Sequence, residues 1–240
     1  MAPKTALIIG AGKNIGAAVA KSLKDQGYSV ALVSRKPDPK AAEASGYTAF
    51  SADVAKPESV RAAFKEVGEK LGAPSVVVYN AAAFTFPTDP SDPFSAGAEA
   101  FAADVAVNSV GGFVALQEAV AAFKTVDDAS TPKVFIATGN VLPFKPVVFA
   151  GTLGAGKAAL AHLVDVSIQA FGGKGYRFYF ASQVNKDGNP VDYPELSGEA
   201  HAKVYAQLLA EKEQGPWEVR FTGDTLRFKE DEAKAAMKNF

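Results

Sequence analysis

Short apolar runs alternate with longer amphipathic stretches along the chain. The short runs occupy residues 6–9, 30–33, 48–51, 75–79, 133–138, 177–181 and 218–222. Between them, apolar residues recur at helical spacing over residues 15–26, 59–71, 99–123 and 154–171, mostly in Ala-rich sequence. Runs of the first kind are typical of buried strands, and the longer stretches are typical of helices. The alternation predicts a doubly wound parallel α/β sheet of seven strands with helices on both faces.

Two segments depart from this alternation. Residues 86–94 hold Pro87, Pro90 and Pro93, which predicts an extended loop. Residues 194–214 have helical spacing but lie between two predicted strands, where many α/β enzymes carry a mobile lid. We expect a single domain over residues 1–240, with a lid-like helical insertion at about residues 185–215.

Composition narrows the function classes. The 240 residues are 48% hydrophobic, which is enough for one large domain with a buried core. A net charge of -1 without a basic tract argues against nucleic-acid binding. Since the chain has no Cys and only two His, we expect neither a thiolate nucleophile nor a metal site. No signal-type segment and no membrane-length apolar run is evident, so we expect a cytoplasmic protein with no membrane contact.

The first predicted strand ends in a glycine-rich turn, GAGKNIG, at residues 10–16. The spacing GxGxxG fails because its third glycine would fall at Ile15, whereas GxxxGxG fits with Asn14 in the middle position. Asn tolerates left-handed backbone angles better than most residues. A tight strand-to-helix turn lets N–H groups approach a pyrophosphate at the positive end of the helix. The turn predicts a Rossmann-type dinucleotide site, with a plain glycine turn as the alternative, formed by Gly10, Lys13, Asn14, Ile15 and Gly16.

The second predicted strand runs into Ser34, Arg35 and Lys36. Sites selective for NAD usually place an acid there to accept hydrogen bonds from the adenosine ribose. A hydroxyl and two cations instead favour a 2′-phosphate, because Arg binds phosphate in a bidentate manner. NADP(H) is therefore the preferred cofactor, although both cations could simply be exposed loop residues.

Further along the chain, Asp53-Val54 follows the third strand, and Asn80-Ala81-Ala82 follows the fourth. Together with the glycine turn and with Asn108 and Lys157, these pieces follow the order and intervals of the short-chain dehydrogenase/reductase family, which most of the chain resembles. The resemblance implies that Asp53 and Val54 cap the adenine and that Asn80, Ala81 and Ala82 lie against the cofactor. It also implies that Lys157 holds the nicotinamide ribose, that Asn108 supports a proton relay through water, and that Val184 contacts the carboxamide.

The residues expected to carry the chemistry are only partly present. The family has a tyrosine acid four residues before the lysine, and here that position holds Leu153, which cannot transfer a proton. A serine that polarises the substrate carbonyl is also missing after the fifth strand, where Thr138 and Asn140 are the nearest polar candidates. Either could donate a hydrogen bond to a substrate oxygen, or both could satisfy backbone groups in the turn.

Apolar side chains at loop positions favour a hydrophobic or aromatic small-molecule substrate. The pocket residues we expect are Phe84, Phe86, Phe144, Phe149 and Leu153. His201 and Tyr205, one helical turn apart in the predicted lid, could bring a replacement acid to the pocket, or they could be packing residues.

Three hypotheses for function follow. The first is an atypical NADP(H)-dependent reductase, and the alternatives are a non-catalytic NADP(H) sensor or scaffold and a non-redox enzyme that uses the same pocket. The Ala-rich faces of the helices at residues 99–123 and 154–171 also predict a homodimer or homotetramer.

Overall fold

The computed structural model describes residues 4–128, 130–223 and 225–227, and within these ranges eight strands form one sheet. The spatial order is β3-β2-β1-β4-β5-β6-β7-β8, with the first seven strands parallel and β8 antiparallel to β7. The seven predicted strands are confirmed. The eighth was not expected, because three residues are too few to display a periodic pattern. The strands are β1 Thr5–Ile9, β2 Ser29–Ser34, β3 Thr48–Ser51, β4 Pro74–Tyr79, β5 Lys133–Thr138, β6 Tyr176–Gln183, β7 Glu218–Thr222 and β8 Thr225–Arg227.

The described chain contains seven α-helices. They are α1 Ile15–Asp25, α2 Pro39–Ala44, α3 Pro57–Leu71, α4 Ala98–Val105, α5 Gly111–Thr125, α6 Gly151–Phe171 and α7 Gly198–Ala210. The single helix predicted over residues 99–123 is instead α4 and α5, joined by a π-helical turn at Ala106–Val110. Helix α2 was not predicted because its six residues hold no apolar period, and it begins where Asp38 accepts a hydrogen bond from Ala41 N.

The alternation of strand side chains divides the core between two faces of the sheet. In β1, Leu7 and Ile9 pack on the face covered by α3, α5 and α6, whereas Ala6 and Ile8 pack on the face covered by α1 and α7. We call these the α5–α6 face and the α1–α7 face.

The order of the strands in space reverses at β1. Strands β2 and β3 lie on one side of β1, and β4 and all later strands lie on the other side. Loops that leave the two strands therefore diverge and open a crevice at the carboxyl edge of the sheet. The two strand ends remain joined there, because Asn80 N donates to Ile9 O at 2.8 Å. The crevice is the place where a doubly wound sheet binds its ligand.

The helical part of the predicted lid belongs to the core. Helix α7 packs on α1, and both His201 and Tyr205 are buried within the α1–α7 face. Residues 198–210 therefore have a packing role in the core, and their mobility as a lid stays a prediction. Of the remaining residues of the predicted insertion, 185–197 form an irregular connection with one 3₁₀ turn at Tyr193–Glu195, and 211–215 lead from α7 toward β7.

One helical run, Ala98–Thr125, has the length and a mean hydropathy of 1.4 that a membrane span would need. Half of its most apolar window is nevertheless buried inside this fold. The length and composition of this one run are therefore weak evidence for a membrane span.

Candidate active site at the carboxyl edge

The glycine-rich turn between β1 and α1 depends on Gly10 and Gly16 for close packing. Gly10 has φ +88°, and a Cβ there would lie 2.5 Å from Ala81 N. A Cβ on Gly16 would lie 2.9 Å from the Cα of Ala11, whereas one on Gly12 would meet nothing within 4 Å. The turn is therefore tight on its inner side and open at Gly12, which fits the close approach of a pyrophosphate.

Asn14 was expected to supply a left-handed backbone conformation to the turn, but its side chain has a different role. Its φ is -96°, so it does not adopt the left-handed conformation. Its side chain instead reaches the connection before α7, where Nδ2 donates to Leu196 O at 2.7 Å and Oδ1 accepts from Gly198 N at 3.0 Å. The middle position of the turn thus carries a long-range contact that the spacing alone could not reveal.

The cations predicted to select the cofactor lie at the end of β2. Arg35 and Lys36 are exposed, and neither forms an ion pair with another described residue. Ser34 is half-buried beside them at the end of the strand. Across the adjoining loop, Asp53 Oδ1 accepts from Ala55 N at 3.1 Å, and Val54 is buried. Both charged side chains at residues 35 and 36 are therefore available to a ligand phosphate.

The loop after β4 is held in place by side chains from the helical run behind it. Asn80 Nδ2 donates to Gly10 O at 2.8 Å, which joins this loop to the glycine-rich turn. Asn108 accepts from Ala83 N at 3.0 Å and donates to Ala83 O at 2.7 Å. Asp104, which the sequence analysis did not single out, accepts from both Thr85 N and Thr85 Oγ1. The available signal for this role was an acid between Ala103 and Val105 in an apolar helical pattern.

Lys157 is buried at the same edge of the sheet. The side chain comes from α6, is 3% exposed, and donates from Nζ to Thr138 O at 2.8 Å. Burial lowers the pKa of Lys157 to about 8. The ammonium is therefore fixed at the end of β5, where it can reach a ligand only by exchanging or sharing this carbonyl contact.

The two candidates for the missing serine have structural partners. Thr138 Oγ1 and the hydroxyl of Tyr205 share a buried hydrogen bond of 2.9 Å on the α1–α7 face. Thr138 therefore offers its carbonyl to Lys157 and its hydroxyl to Tyr205, and its role on a substrate oxygen stays a prediction. Asn140 Oδ1 accepts from Leu142 N at 3.1 Å, the backbone-satisfying role that the sequence left open. Its amide nitrogen is the polar group that remains for a ligand after β5.

The four phenylalanines among the five side chains predicted to form one pocket divide into two groups. Phe86 lies between Phe84, at a centroid distance of 5.8 Å, and Phe149, at 5.4 Å. All three rings are at least 42% exposed. Phe144, by contrast, covers the buried guanidinium of Arg220 at 5.2 Å and belongs to the core. The exposed aromatic surface of residues 84, 86 and 149, which we call the aromatic cluster, therefore excludes Phe144.

Comparison with known proteins identifies the family of the chain. The family model for short chain dehydrogenases matches residues 4–179. A short chain dehydrogenase/reductase of Cryptosporiopsis sp. (strain 8999), dmxR12, is 40% identical over 236 residues, with 94% of each chain covered. The chain belongs to the short-chain dehydrogenase/reductase family. It is accordingly an NAD(P)-dependent oxidoreductase with the single-domain α/β fold of that family.

More distant matches agree with the fold. A metagenomic short-chain oxidoreductase in complex with NADP superposes with a TM-score of 0.76 at 20% identity, covering 94% of this chain and 99% of that chain. An NADH-dependent reductase complexed with NAD also gives 0.76 at 20% identity, with 92% and 95% covered. An acetoacetyl-CoA reductase of Paracoccus denitrificans is 38% identical over 81 residues, which are 32% of this chain and 34% of the relative.

The remaining predicted site residues lie on α6, on the π-helical turn before α5 and after β6. The open turn at Gly12 leaves room for the pyrophosphate of a dinucleotide cofactor. Leu153 is half-buried on α6, four residues before Lys157. Val184 is buried, and its N–H donates to Phe221 O at 2.8 Å, so only its carbonyl and side chain remain for a contact with the carboxamide.

Proposed function

We propose that the protein is an NADP(H)-dependent oxidoreductase that reduces a hydrophobic or aromatic small molecule without a tyrosine acid. The observation that carries the proposal is a buried Lys157 at the same sheet edge as the open glycine-rich turn, with Leu153 one helical turn before it on α6. In this arrangement the chain binds and orients the nicotinamide, which supplies the hydride, but does not deliver a proton through a phenol. Substrates that need little acid assistance, such as iminium ions or activated alkenes, suit such a site.

The preference for NADP(H) is supported by the exposed cations after β2. Arg35 and Lys36 have no carboxylate partner among the described residues, and no acid stands where an NAD-selective site would need one. A phosphate that engages both side chains would gain charge-assisted hydrogen bonds.

Substrate class is supported by the aromatic cluster. Three exposed rings on the loop after β4 and on the turn before α6 offer stacking partners for an aromatic or apolar ligand. The loop that carries Phe84 and Phe86 is held by Asn108 and Asp104, so this surface is preorganised rather than formed on binding.

Cofactor binding provides the first test. Titration with NADPH and with NADH, followed by nicotinamide fluorescence, should give the tighter dissociation constant for NADPH. Replacing Arg35 with Ala should weaken NADPH about tenfold or more and leave NADH nearly unchanged, because only NADPH carries the 2′-phosphate. Lys40→Ala, which removes an exposed lysine from α2, serves as the matched control. Equal affinities for the two cofactors in the wild type would contradict the assignment.

Turnover provides the second test. Stopped-flow loss of nicotinamide absorbance across ketones, imines and enones should show oxidation with the imine or enone group. Leu153→Tyr restores the missing phenol four residues before Lys157, so carbonyl reduction should appear in this variant. No oxidation of NADPH with any compound would contradict the reductase.

The second candidate is a nucleotide-binding sensor or scaffold without turnover. It is favoured by one observation, the sequestering of the Thr138 hydroxyl on Tyr205, which leaves the centre without a hydroxyl from either expected residue. Calorimetry would then detect NADPH binding while all substrates gave background rates. A homodimer or homotetramer and a cytoplasmic location complete the proposal, and light scattering after size-exclusion chromatography measures the first.

A further inference from the structure

The four residues that precede and begin α7 are hydrogen-bonded on both sides by side-chain amides. From β6, Gln183 Oε1 accepts from Ser197 N at 2.9 Å and Nε2 donates to Glu195 O at 3.1 Å. From the glycine-rich turn, Asn14 Nδ2 donates to Leu196 O and Oδ1 accepts from Gly198 N. Two amides that lie 169 positions apart in sequence thus satisfy alternate backbone groups of residues 195–198, much as two neighbouring strands would. We call this arrangement the amide clamp.

Backbone packing shows how closely the clamp holds this segment to the turn. A Cβ on Gly198 would lie 2.7 Å from both the carbonyl oxygen and the Oδ1 of Asn14. Only glycine therefore lets the start of α7 rest on the turn. Ser197 in turn fixes the first turn of α7, because its Oγ accepts from Ala200 N at 3.1 Å and its carbonyl oxygen accepts from His201 Nδ1 at 2.7 Å.

Both amides lie at the carboxyl edge of the sheet. Asn14 occupies the middle position of GxxxGxG, and Gln183 is the last residue of β6. A glycine at position 14 has no side chain with which to reach residue 196. The two side chains therefore meet on the same four residues.

We propose that Asn14 and Gln183 are positioning residues that couple occupancy of the dinucleotide site to the order of residues 195–198. The proposal rests on dinucleotide binding at the glycine-rich turn, as argued above. A cofactor that contacts the N–H groups of the glycine-rich turn restricts the motion of the turn. The amide clamp transmits this restriction to residues 195–198. Ordering of either part then lowers the entropic cost of ordering the other, and the coupling is reciprocal.

Amide hydrogen exchange measures the clamp directly. In the wild type without ligand, the peptide covering residues 195–200 should be protected, and NADPH should increase that protection. Asn14→Gly and Gln183→Ala should each speed its exchange about tenfold, and NADPH should restore little protection in either variant. Gln183→Glu, which keeps the acceptor for Ser197 N but loses the donor to Glu195 O, should fall between wild type and Gln183→Ala.

Cofactor affinity separates coupling from a merely local structural role. Gln183 lies on β6 outside the turn, yet Gln183→Ala should weaken NADPH at least fivefold because the clamp is shared. The control is Gln214→Ala. The amide of Gln214 also bonds two backbone groups, the N–H and the carbonyl of Phe178, but it does so at the opposite end of β6. Its removal should leave NADPH affinity unchanged. Unaltered exchange at residues 195–200, or faster exchange with unaltered NADPH affinity, would overturn the coupling. A wild type that binds neither NADPH nor NADH would overturn the proposed function as well.

Discussion

At the scale of single residues, the polar groups of the candidate active site have structural partners that their residue types do not reveal. Thr138 presents two oxygens to two different faces, with its carbonyl accepting from Lys157 and its hydroxyl paired with Tyr205. Burial raises the pKa of Tyr205, so its hydroxyl stays protonated and bonded inside the core. The hydroxyl of Tyr205 therefore has a structural role inside the core.

Tyr205→Phe tests that interpretation. It should lower the free energy of unfolding by about 1 kcal/mol, because it leaves the buried Thr138 hydroxyl without its partner. Turnover should change by less than about twofold, whereas removal of a general acid would cost roughly 10²-fold or more. Urea denaturation and steady-state rates provide the two measurements. Tyr193→Phe, at an 82% exposed position, is the control, and it should alter neither quantity.

At the scale of secondary-structure elements, the junction of α4 and α5 with α6 sets the position of Asn108. The π-helical turn at Ala106–Val110 widens the helix at this residue and lets its side chain hold the loop after β4. Helix α6 fits against it because a Cβ on Gly156 would lie 2.5 Å from the Cβ of Asn108. Ser109 Oγ adds a hydrogen bond of 3.1 Å to Gly156 O.

Two glycines of α6 form a matched pair of substitutions. Gly156→Ala should destabilise the protein by about 1–3 kcal/mol and displace Asn108, because the added methyl group overlaps its side chain. Gly154→Ala should be neutral or stabilising by up to about 1 kcal/mol, since its Cβ would meet only Leu142 Cβ at an ordinary 3.6 Å. Thermal unfolding of both variants checks the contrast. Equal destabilisation by the two would contradict the packing at residue 156.

At the scale of the whole molecule, a buried imidazole ties stability to pH. His201 donates from Nδ1 to Ser197 O, packs edge-on against Phe221 at 4.9 Å, and keeps Nε2 buried without a partner among the described residues. Burial lowers its pKa from 6.5 to about 4. The unfolded chain thus takes up a proton at higher pH than the folded protein, so this contribution to stability is complete above pH 6.5 and is lost as the pH falls toward 4.

His201→Asn is the matched variant, because an Asn amide can donate to Ser197 O but does not titrate. From pH 7 to pH 4 the wild type should lose up to about 3 kcal/mol more unfolding free energy than the variant. Urea denaturation across this pH range measures the difference in unfolding free energy between the two proteins. Both proteins have the same carboxylates, so the contribution of those groups cancels in the difference. Parallel pH profiles would show that His201 is not buried in its neutral form.

The sequence by itself determined where the seven parallel strands lie, the glycine-rich turn and the interval from Leu153 to Lys157, because these features depend on local periodicity and on spacing along the chain. It could not determine that Thr138 turns its hydroxyl to Tyr205, that Phe144 joins Arg220 instead of the aromatic cluster, or that the helix with His201 belongs to the core. Only the tertiary structure decided these points. They depend on which face of the sheet each element covers, and on contacts such as Asn14 with Gly198, 184 positions away, that no local pattern records.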